Sequence, residues 1–277
     1  MHFPIARIGR RMNEEEDGPR FHGVEVALRS FGGARASRVL HAGNQKIDTH
    51  KHDWVCITVP LVGSGLEVFE GGEARIDGPC AILHPAGSYH GDEIGPFGLE
   101  TFSIQFDPEW LGCGPGLKSG RSTAWVGGGA AAVARRLAEA WNDPDRTESE
   151  VKDVTAEFVR RASAPVPVAT PAWIERIREE TCGIQDLSTA ELARRVGLHP
   201  VWVARSYRRA MGEGLADARR RHRVAAAAQR LRGSNELLAD VAAASGFCDQ
   251  SHMNRNFLEV LGRTPLQVRE ERRFFAA

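Results

Sequence analysis

The stretch "GFCDQSHMNRNFLEVLGRTP", Gly246–Pro265, predicts a sharp turn followed by an amphipathic helix. A glycine such as Gly246 adopts the positive φ angle of a tight turn at little cost. Asp249 is placed to accept hydrogen bonds from the unpaired N–H groups at the start of the next helix. Met253 and Phe257 lie four positions apart, so they share the inner face of that helix. The stretch is therefore typical of the second half of a helix-turn-helix unit.

A second copy of this unit lies earlier in the chain, in "LSTAELARRVGLHPVWVARSYRRAMG", Leu187–Gly212. Ser188 followed by Glu191 fits a capping box, which begins a helix by tying its first N–H groups to side chains. Both copies contain an arginine two positions before an inward aromatic residue and a glycine five positions after it: Arg205, Tyr207 and Gly212, then Arg255, Phe257 and Gly262. The sequence thus predicts one structural unit used twice.

The segment between the copies, "LADARRRHRVAAAAQRLRG", Leu215–Gly233, is rich in alanine and arginine and predicts one uninterrupted helix. At about 1.5 Å per residue this helix is nearly 30 Å long. Successive major grooves on one face of B-DNA lie about 34 Å apart. A rigid helix of this length suits a protein that places two helix-turn-helix units in neighbouring grooves.

The charge distribution supports a polyanionic partner, although the net charge of the chain is zero. Residues 171–277 contain 18 Arg, no Lys and 13 Asp or Glu, a net charge of about +5 that residues 1–170 balance. Arginine-rich helices are also common as solvated surfaces, so charge alone does not distinguish a polyanion-binding surface from a solvated one.

The first ~110 residues predict β structure in short stretches separated by Gly, Pro and Asp turns: Trp54–Leu61, Gly65–Glu70, Pro79–His84 and Leu99–Phe106. Two amphipathic helices follow, over Gly129–Trp141 and Glu148–Arg161, and they either cover the β structure or form a dimer contact. The proline-rich "ASAPVPVATPA" (162–172) predicts a linker. We therefore predict an α+β protein with a β domain over residues 1–162, a linker over 163–172 and an all-α domain over 173–277.

The helical part resembles the DNA-binding domain of the AraC/XylS family of bacterial transcription regulators. The most specific matching pattern is G-F, then R-x-F, then G-x-T-P-x-x-x-R: Gly246, Phe247, Arg255, Phe257, Gly262, Thr264, Pro265 and Arg269. The first copy departs from it, with Gly214-Leu215 where the second copy has Thr264-Pro265. The resemblance implies a double helix-turn-helix fold that binds operator DNA.

This resemblance and the outward positions on the second helix of each unit predict two sets of DNA-contacting side chains. The residues expected to face bases are Val201, Ala204, Arg205, Gln250, Ser251, His252, Asn254 and Arg255. The residues expected to contact phosphates, which position a protein on DNA without reading sequence, are Arg194, Arg195, Arg209 and Arg220.

The N-terminal half resembles the cupin-like β-barrel sensor domain of many members of that family. His50-x-His52 and Pro85-x-Gly87-x-x-His90 are similar to the two motifs of metal-binding cupins, and three imidazoles suffice for Zn²⁺ or Fe²⁺. The carboxylate expected four or five residues after His52 is absent, because Cys56 and Ile57 stand there, so we predict no metal and no cofactor. The histidines then either face solvent near strand ends or line an effector pocket, whose predicted residues are His50, His52, Trp54, Tyr89 and His90.

Together these features predict a sequence-specific transcription regulator that binds a small-molecule effector in its N-terminal barrel and acts as a homodimer. Effector binding would change operator spacing or contact with RNA polymerase. The alternative is a metal-dependent cupin enzyme, an oxygenase or isomerase, with a DNA-binding domain; no catalytic set supports it, and we predict that the chain is not an enzyme. Five scattered cysteines without C-x-x-C spacing, no signal-peptide pattern and no long apolar run favour a cytoplasmic, nucleoid-associated bacterial protein without a membrane partner.

Overall fold

The structure, a computed structural model, describes residues 10–11, 22–70, 72–112, 117, 122–126, 128–162, 171–181 and 187–274. Its strands are β1 (Arg10–Arg11), β2 (Val24–Phe31), β3 (Ala34–His41), β4 (Lys46–Lys51), β5 (Val55–Phe69), β6 (Gly72–Ile76), β7 (Cys80–His84), β8 (Tyr89–Phe106) and β9 (Thr123–Val126). Its α-helices are α1 (Gly128–Asn142), α2 (Glu148–Ala162), α3 (Ala172–Thr181), α4 (Thr189–Arg195), α5 (Pro200–Met211), α6 (Leu215–Gly233), α7 (Leu238–Ala244), α8 (Gln250–Leu261) and α9 (Pro265–Glu270), followed by a 3₁₀ turn (Glu271–Phe274). The predicted α+β fold class is confirmed.

The strands form one antiparallel sheet in the order β1-β2-β3-β8-β5-β7-β9, with β4 added to β8 and β6 added to β5. Strands β5 and β8 pair along almost their whole length and belong to two parts of the sheet. The first half of β5 pairs with β7 and its second half pairs with β6. The first half of β8 pairs with β4 and its second half pairs with β3. These two long strands therefore bring side chains from distant parts of the sequence to one place.

The predicted division of residues 54–70 into two strands is wrong, because β5 continues through the expected turn at "VGSG". The pairing register shifts between Pro60 and Val62 and again between Gly63 and Gly65, so the strand bends through irregularities instead of reversing. Pro60 has no N–H to donate to the ladder, and it is tolerated here because the ladder is already interrupted at this irregularity. Gly63 has a φ of 101°, and a Cβ there would lie 2.1 Å from the Gly98 carbonyl oxygen. The predicted strand at Leu99–Phe106 likewise begins earlier, at Tyr89.

The two helices α1 and α2 cover the sheet, which is one of the two roles that the sequence left open. Trp141 of α1 is fully buried, and its Nε1 donates to the Thr155 hydroxyl of α2 over 3.1 Å. The core between helices and sheet contains the predicted apolar stripes: Val133, Leu137, Trp141, Val151, Phe158 and Val159, packed with Ile57, Phe102, Ile104 and Phe106.

The helical part contains the two predicted helix-turn-helix units, α4–α5 and α7–α8. The Ser188–Glu191 capping box begins α4, and the turns contain Gly197 (φ 68°) and Gly246 (φ 77°). The long helix α6 has the predicted bounds and belongs to both units. Its first half contributes Leu215 and Ala218 to the core of the first unit, and its second half contributes five side chains to the core of the second: Val224, Ala225, Ala227, Ala228 and Leu231. One rigid helix therefore sets the relation between the units.

The helical part also packs against the sheet through a buried ion cluster. Glu100 of β8 pairs with Arg232 of α6, with Nη2 to Oε2 at 2.6 Å, and with Arg263 at the end of α8. Arg38 of β3 lies 2.6 Å from Glu271 and 3.3 Å from Glu100. Four of these five side chains are at most 1% exposed and Arg232 is 14% exposed. We define this set (Arg38, Glu100, Arg232, Arg263, Glu271) as the interface ion cluster.

The predicted linker, residues 163–172, lies outside the described residues up to position 170, and α3 begins at Ala172. The division into domains at 1–162 and 173–277 stays a proposal. Among the helices that the structure describes, none has the length and apolar character to cross a membrane.

Candidate nucleic-acid interface and effector cavity

The second helices of the two units, α5 and α8, each bury one face and expose the other. Val203 and Tyr207 of α5 are buried in the core of the first unit, and Met253 and Phe257 of α8 are buried in the second. The residues expected to face bases lie away from these cores. Ala204, His252 and Asn254 are half-buried, and the exposed ones are Val201, Arg205, Gln250, Ser251 and Arg255.

Side chains fix the N-terminal ends of both helices, the ends that meet base edges in a helix-turn-helix protein. His199 Nδ1 accepts from the Val201 N–H over 3.3 Å at the start of α5. Asp249 accepts from the His252 N–H over 2.6 Å at the start of α8, as the sequence predicted. The His252 ring is itself engaged in the turn, because its Nδ1 accepts from the Cys248 N–H over 3.3 Å. His252 thus stabilises the turn that presents its neighbours.

The arginines differ in whether a carboxylate already balances them. Arg205 and Arg255 are exposed and have no ion-pair partner among the described residues. The predicted phosphate residues Arg194 and Arg209 are also exposed. The other two are paired: Arg195 lies 3.4 Å from Glu180, and Arg220 lies 3.3 Å from Asp217 and also contacts Glu259. The structure therefore leaves Arg194 and Arg209 better placed than Arg195 and Arg220 to meet phosphates.

A cavity of about 40 Å³ lies between the two parts of the sheet and is lined mostly by polar side chains. Of the predicted pocket residues, His50, His52 and His90 line it, whereas Trp54 and Tyr89 do not, and Tyr89 is 53% exposed. The sequence did not single out five further histidine and acidic residues that line it: His22, His41, Glu67, His84 and Asp92.

The imidazole rings of this cavity form a contiguous group. The ring centroids of His50 and His90 are 4.3 Å apart, because these residues are register partners on β4 and β8. His52 lies 4.9 Å from His50, and His84 stacks on His90 at 4.0 Å. The coordinating atoms of His50, His52 and His90 all lie within 4.8 Å of one another, and so do those of Glu67, His84 and His90.

The family comparison concerns the helical part of the chain. Residues 192–271 match the model of a helix-turn-helix domain family. The C-terminal region is an AraC-type helix-turn-helix domain. This confirms the resemblance that the sequence pattern indicated. No curated protein matches the chain.

Several solved structures are similar to parts of this chain at low identity and with TM-scores below 0.5. ToxT from Vibrio cholerae O395 is 9% identical, with coverage of 89% of this chain and 100% of that chain and a TM-score of 0.37. The C-terminal domain of AraT, a response regulator from Geobacillus stearothermophilus, is 23% identical over 37% of this chain and 87% of that chain, with a TM-score of 0.34. A cupin superfamily protein from Desulfitobacterium hafniense DCB-2 is 13% identical over 37% and 99%, with a TM-score of 0.29.

Burial lowers the pKa of three cavity histidines, His41, His52 and His90. It lowers the pKa of His52 to about 3, with smaller contributions from His50 and His84. Burial followed by the neighbouring His84 lowers the pKa of His90, and burial lowers the pKa of His41 to about 4. The imidazoles of His41, His52 and His90 are therefore neutral at pH 7.

Two acidic side chains, Glu67 and Asp92, lie beside this group. Glu67 Oε1 lies 2.8 Å from His84 Nε2, and the other ring nitrogen of His84 lies 2.8 Å from the Ser122 hydroxyl. Burial, followed by the charge of Glu67, raises the pKa of Asp92 to about 8. Sequence alternation could not place Glu67 here. In a regular strand every second side chain points to the same side, and Cys56 and Thr58 line the cavity in this way. Glu67 also lines it, although it is an odd number of residues further along β5. The irregular segment between Pro60 and Gly65 shifts the alternation by one residue.

A second, larger cavity of about 560 Å³ lies where the AraC-type domain meets the sheet. Its walls are Pro96 and Phe97 on one side and α6 and α7 on the other, with Arg219, Arg223 and Arg230 among the lining residues. No local sequence pattern predicts this cleft, because two separate parts of the chain form it.

Proposed function

We propose that this protein is a sequence-specific transcription regulator in which α5 and α8 read two successive major grooves of operator DNA. The observation that supports this proposal most is the AraC-type domain itself, with both of its units built on α6. A shared helix holds the outward faces of α5 and α8 at a constant separation, so the two helices present one composite surface instead of two independent ones.

The proposal assigns base reading to the exposed ends of α5 and α8. The guanidinium groups of Arg205 and Arg255 suit a bidentate contact with guanine, and Val201 suits a thymine methyl group. The set on α8 is richer in hydrogen-bonding groups, with Gln250, Ser251 and Asn254 beside Arg255. We therefore expect the second unit to contribute at least as much direct readout as the first.

The regulatory part of the proposal is that the N-terminal domain binds an effector in the histidine-lined cavity. Homodimerisation and contact with RNA polymerase stay predictions. Because α1 and α2 bury their apolar stripes against the sheet, a dimer would use their outer faces, and sedimentation at micromolar concentration tests for it. That the protein is a regulator without enzymatic activity is likewise part of the proposal.

The experiment that tests DNA reading is selection of random duplex DNA by the full-length chain, repeated with Arg205→Ala and Arg255→Ala. We expect a motif with two boxes about one helical turn apart. Each variant should lose definition in one box and bind the selected operator more weakly by roughly 1–3 kcal/mol. A pool that never enriches, while salt-sensitive affinity for any duplex remains, would contradict the proposal.

A further inference from the structure

The two helix-turn-helix units attach to the sheet in different ways. The apolar core of the second unit is continuous with the sheet, because Val62 of β5 is buried in it and Phe97 of β8 packs against it. Among the described residues, the core of the first unit contains no side chain from the sheet or from α1, although α1 lies beside α5. The first unit therefore lacks the apolar attachment that fixes the second.

The first unit also shares little of its apolar core with α6. Only Leu215 and Ala218 of this helix belong to that core, and both lie in its first turn. Arg219 of the next turn adds a hydrogen bond to the Leu187 carbonyl oxygen. Because these contacts lie in the first two turns of α6, they fix the distance between the units but constrain the tilt of the first unit less.

A bend between β6 and β7 supplies a second attachment for the first unit. Asp77 in this bend is 5% exposed, and its carboxylate accepts from Nε of Arg178 in α3 over 3.0 Å and also from Nη2 of the same side chain. The Asp77 carbonyl oxygen accepts from Nη2 of Arg221 in α6 over 3.0 Å. One residue at the edge of the sheet thereby holds the helices that precede and follow α4 and α5 in the chain.

Both arginines of this contact are also fixed from the side of the first unit. Glu175 accepts from Nη1 of Arg178 over 2.8 Å, and Glu213, which lies between α5 and α6, accepts from Nε of Arg221 over 3.0 Å. Both guanidinium groups are buried, and an arginine that binds two acceptors at once has a defined orientation. We define Asp77, Arg178, Arg221 and Glu213 as the Asp77 junction.

We propose that Asp77 is a positioning residue for base reading, which holds the first unit at the tilt that places α5 in one groove while α8 occupies the next. This role rests on the proposed function, whereas the attachment of the first unit to the sheet does not. Arg205 and Arg255 are exposed while the junction is formed, so the attached arrangement leaves both reading helices accessible. Without the Asp77 carboxylate, binding to DNA would include the cost of ordering the first unit.

The test measures the affinity of full-length Asp77→Asn for the selected operator and for two derivatives, each with one box scrambled. The box of the first unit is the one that loses definition with Arg205→Ala. We expect at least about fivefold weaker binding to the operator, since coupling between two sites typically changes affinity by about 5–150-fold. On either derivative the loss should stay below about twofold, because the position of one unit relative to the other matters only when both boxes are read.

The matched control is Glu179→Gln, which removes an exposed ion pair between the same two elements, β6 and α3. Glu179 lies 3.0 Å from Arg75, and the affinity of this variant for all three duplexes should stay unchanged. Arg178→Gln removes the other partner of the buried contact and should repeat the pattern of Asp77→Asn. It also serves as the test should Asp77→Asn fail to fold.

Hydrogen exchange measures the attachment without DNA. In Asp77→Asn the amides of α3, α4 and α5 should exchange faster than in the unaltered chain, whereas those of α8 and α9 should not change. Unchanged exchange in α3 to α5 would overturn the attachment.

The DNA measurements separate positioning from other roles of Asp77. An equal loss on all three duplexes would indicate damage to the whole fold, and a loss that persists with the second box scrambled would indicate damage within the first unit. Either result, or an unchanged affinity for the operator, would overturn the positioning role. Failure of the unaltered chain to select any operator would instead contradict the proposed function, and the exchange measurement would still decide the attachment.

Discussion

At the residue scale, the geometry separates exposed arginines whose charge no carboxylate balances from arginines held in ion pairs. Arg255 is exposed near the start of α8 without an ion-pair partner in the described chain, whereas Arg220 is held by two carboxylates. A residue of the first kind can contribute specificity, because its donors are available to a base edge.

We expect Arg255→Lys to weaken binding to the selected operator by about 1 kcal/mol or more. The substitution keeps the charge but loses the planar pair of donors that fits guanine. The dependence of binding on salt should stay unchanged, because no phosphate contact is lost. The measurement is a titration of the operator at several salt concentrations.

Arg209→Lys is the matched comparison for this prediction. Since Arg209 is expected to meet a phosphate, which a lysine also binds, operator affinity should stay within about twofold. An equal loss in both variants would show that Arg255 does not read a base.

At the scale of elements, the glycines of the turns fix how the helices of each unit meet. Gly246 has a φ of 77°, a conformation that costs an L-residue about 1–2 kcal/mol. A Cβ at this position would meet the flexible Arg223 side chain at 3.4 Å, so the backbone conformation is the main obstacle to substitution.

Gly246→Ala should therefore lower the free energy of unfolding by about 1–2 kcal/mol, measured by urea denaturation. The control is Gly233→Ala, at the end of α6. No atom lies within 4 Å of a Cβ there, and its φ is not in the left-handed range. That substitution should leave stability unchanged or raise it by up to about 1 kcal/mol. A comparable loss at both positions would mean that backbone strain is not the cause.

The sequence predicted the elements of the helical part well and those of the β part less well. Helix caps, turn glycines and apolar periodicity are local, so Ser188, Gly197 and α6 could be placed from the chain alone. The continuation of β5 through "VGSG" depends on pairing with β8, where Val62 pairs with Glu100 and Gly65 with Ile94, and no local pattern reports it. For the same reason Glu67 and His84 escaped notice, although His50, His52 and His90 were found from their motif spacing.

At the scale of the whole molecule, the interface ion cluster joins the sheet to the AraC-type domain. Its two carboxylates and three guanidinium groups are almost completely removed from water. In such a cluster the loss of one partner leaves opposite charges buried without compensation, which destabilises a protein by about 3–5 kcal/mol.

Glu100→Gln should therefore lower the free energy of unfolding by about 3–5 kcal/mol in urea titrations. The control is Glu93→Gln on the same strand, where Glu93 pairs with Lys46 at 3.2 Å and both side chains are mostly exposed. An exposed pair contributes about 1 kcal/mol or less, so this variant should stay close to the unaltered chain. A loss below 1 kcal/mol in Glu100→Gln would show that the cluster does not hold the two parts together.

The interface ion cluster also limits how this protein can be recombined with its relatives. A chimera that joined the AraC-type domain to a foreign N-terminal half would bring Arg232, Arg263 and Glu271 without Glu100 and Arg38. Two positive charges would then face one negative charge at the new junction. Replacement of the N-terminal half would therefore require a matching acidic residue on the incoming sheet, so the two halves have to be engineered as a pair.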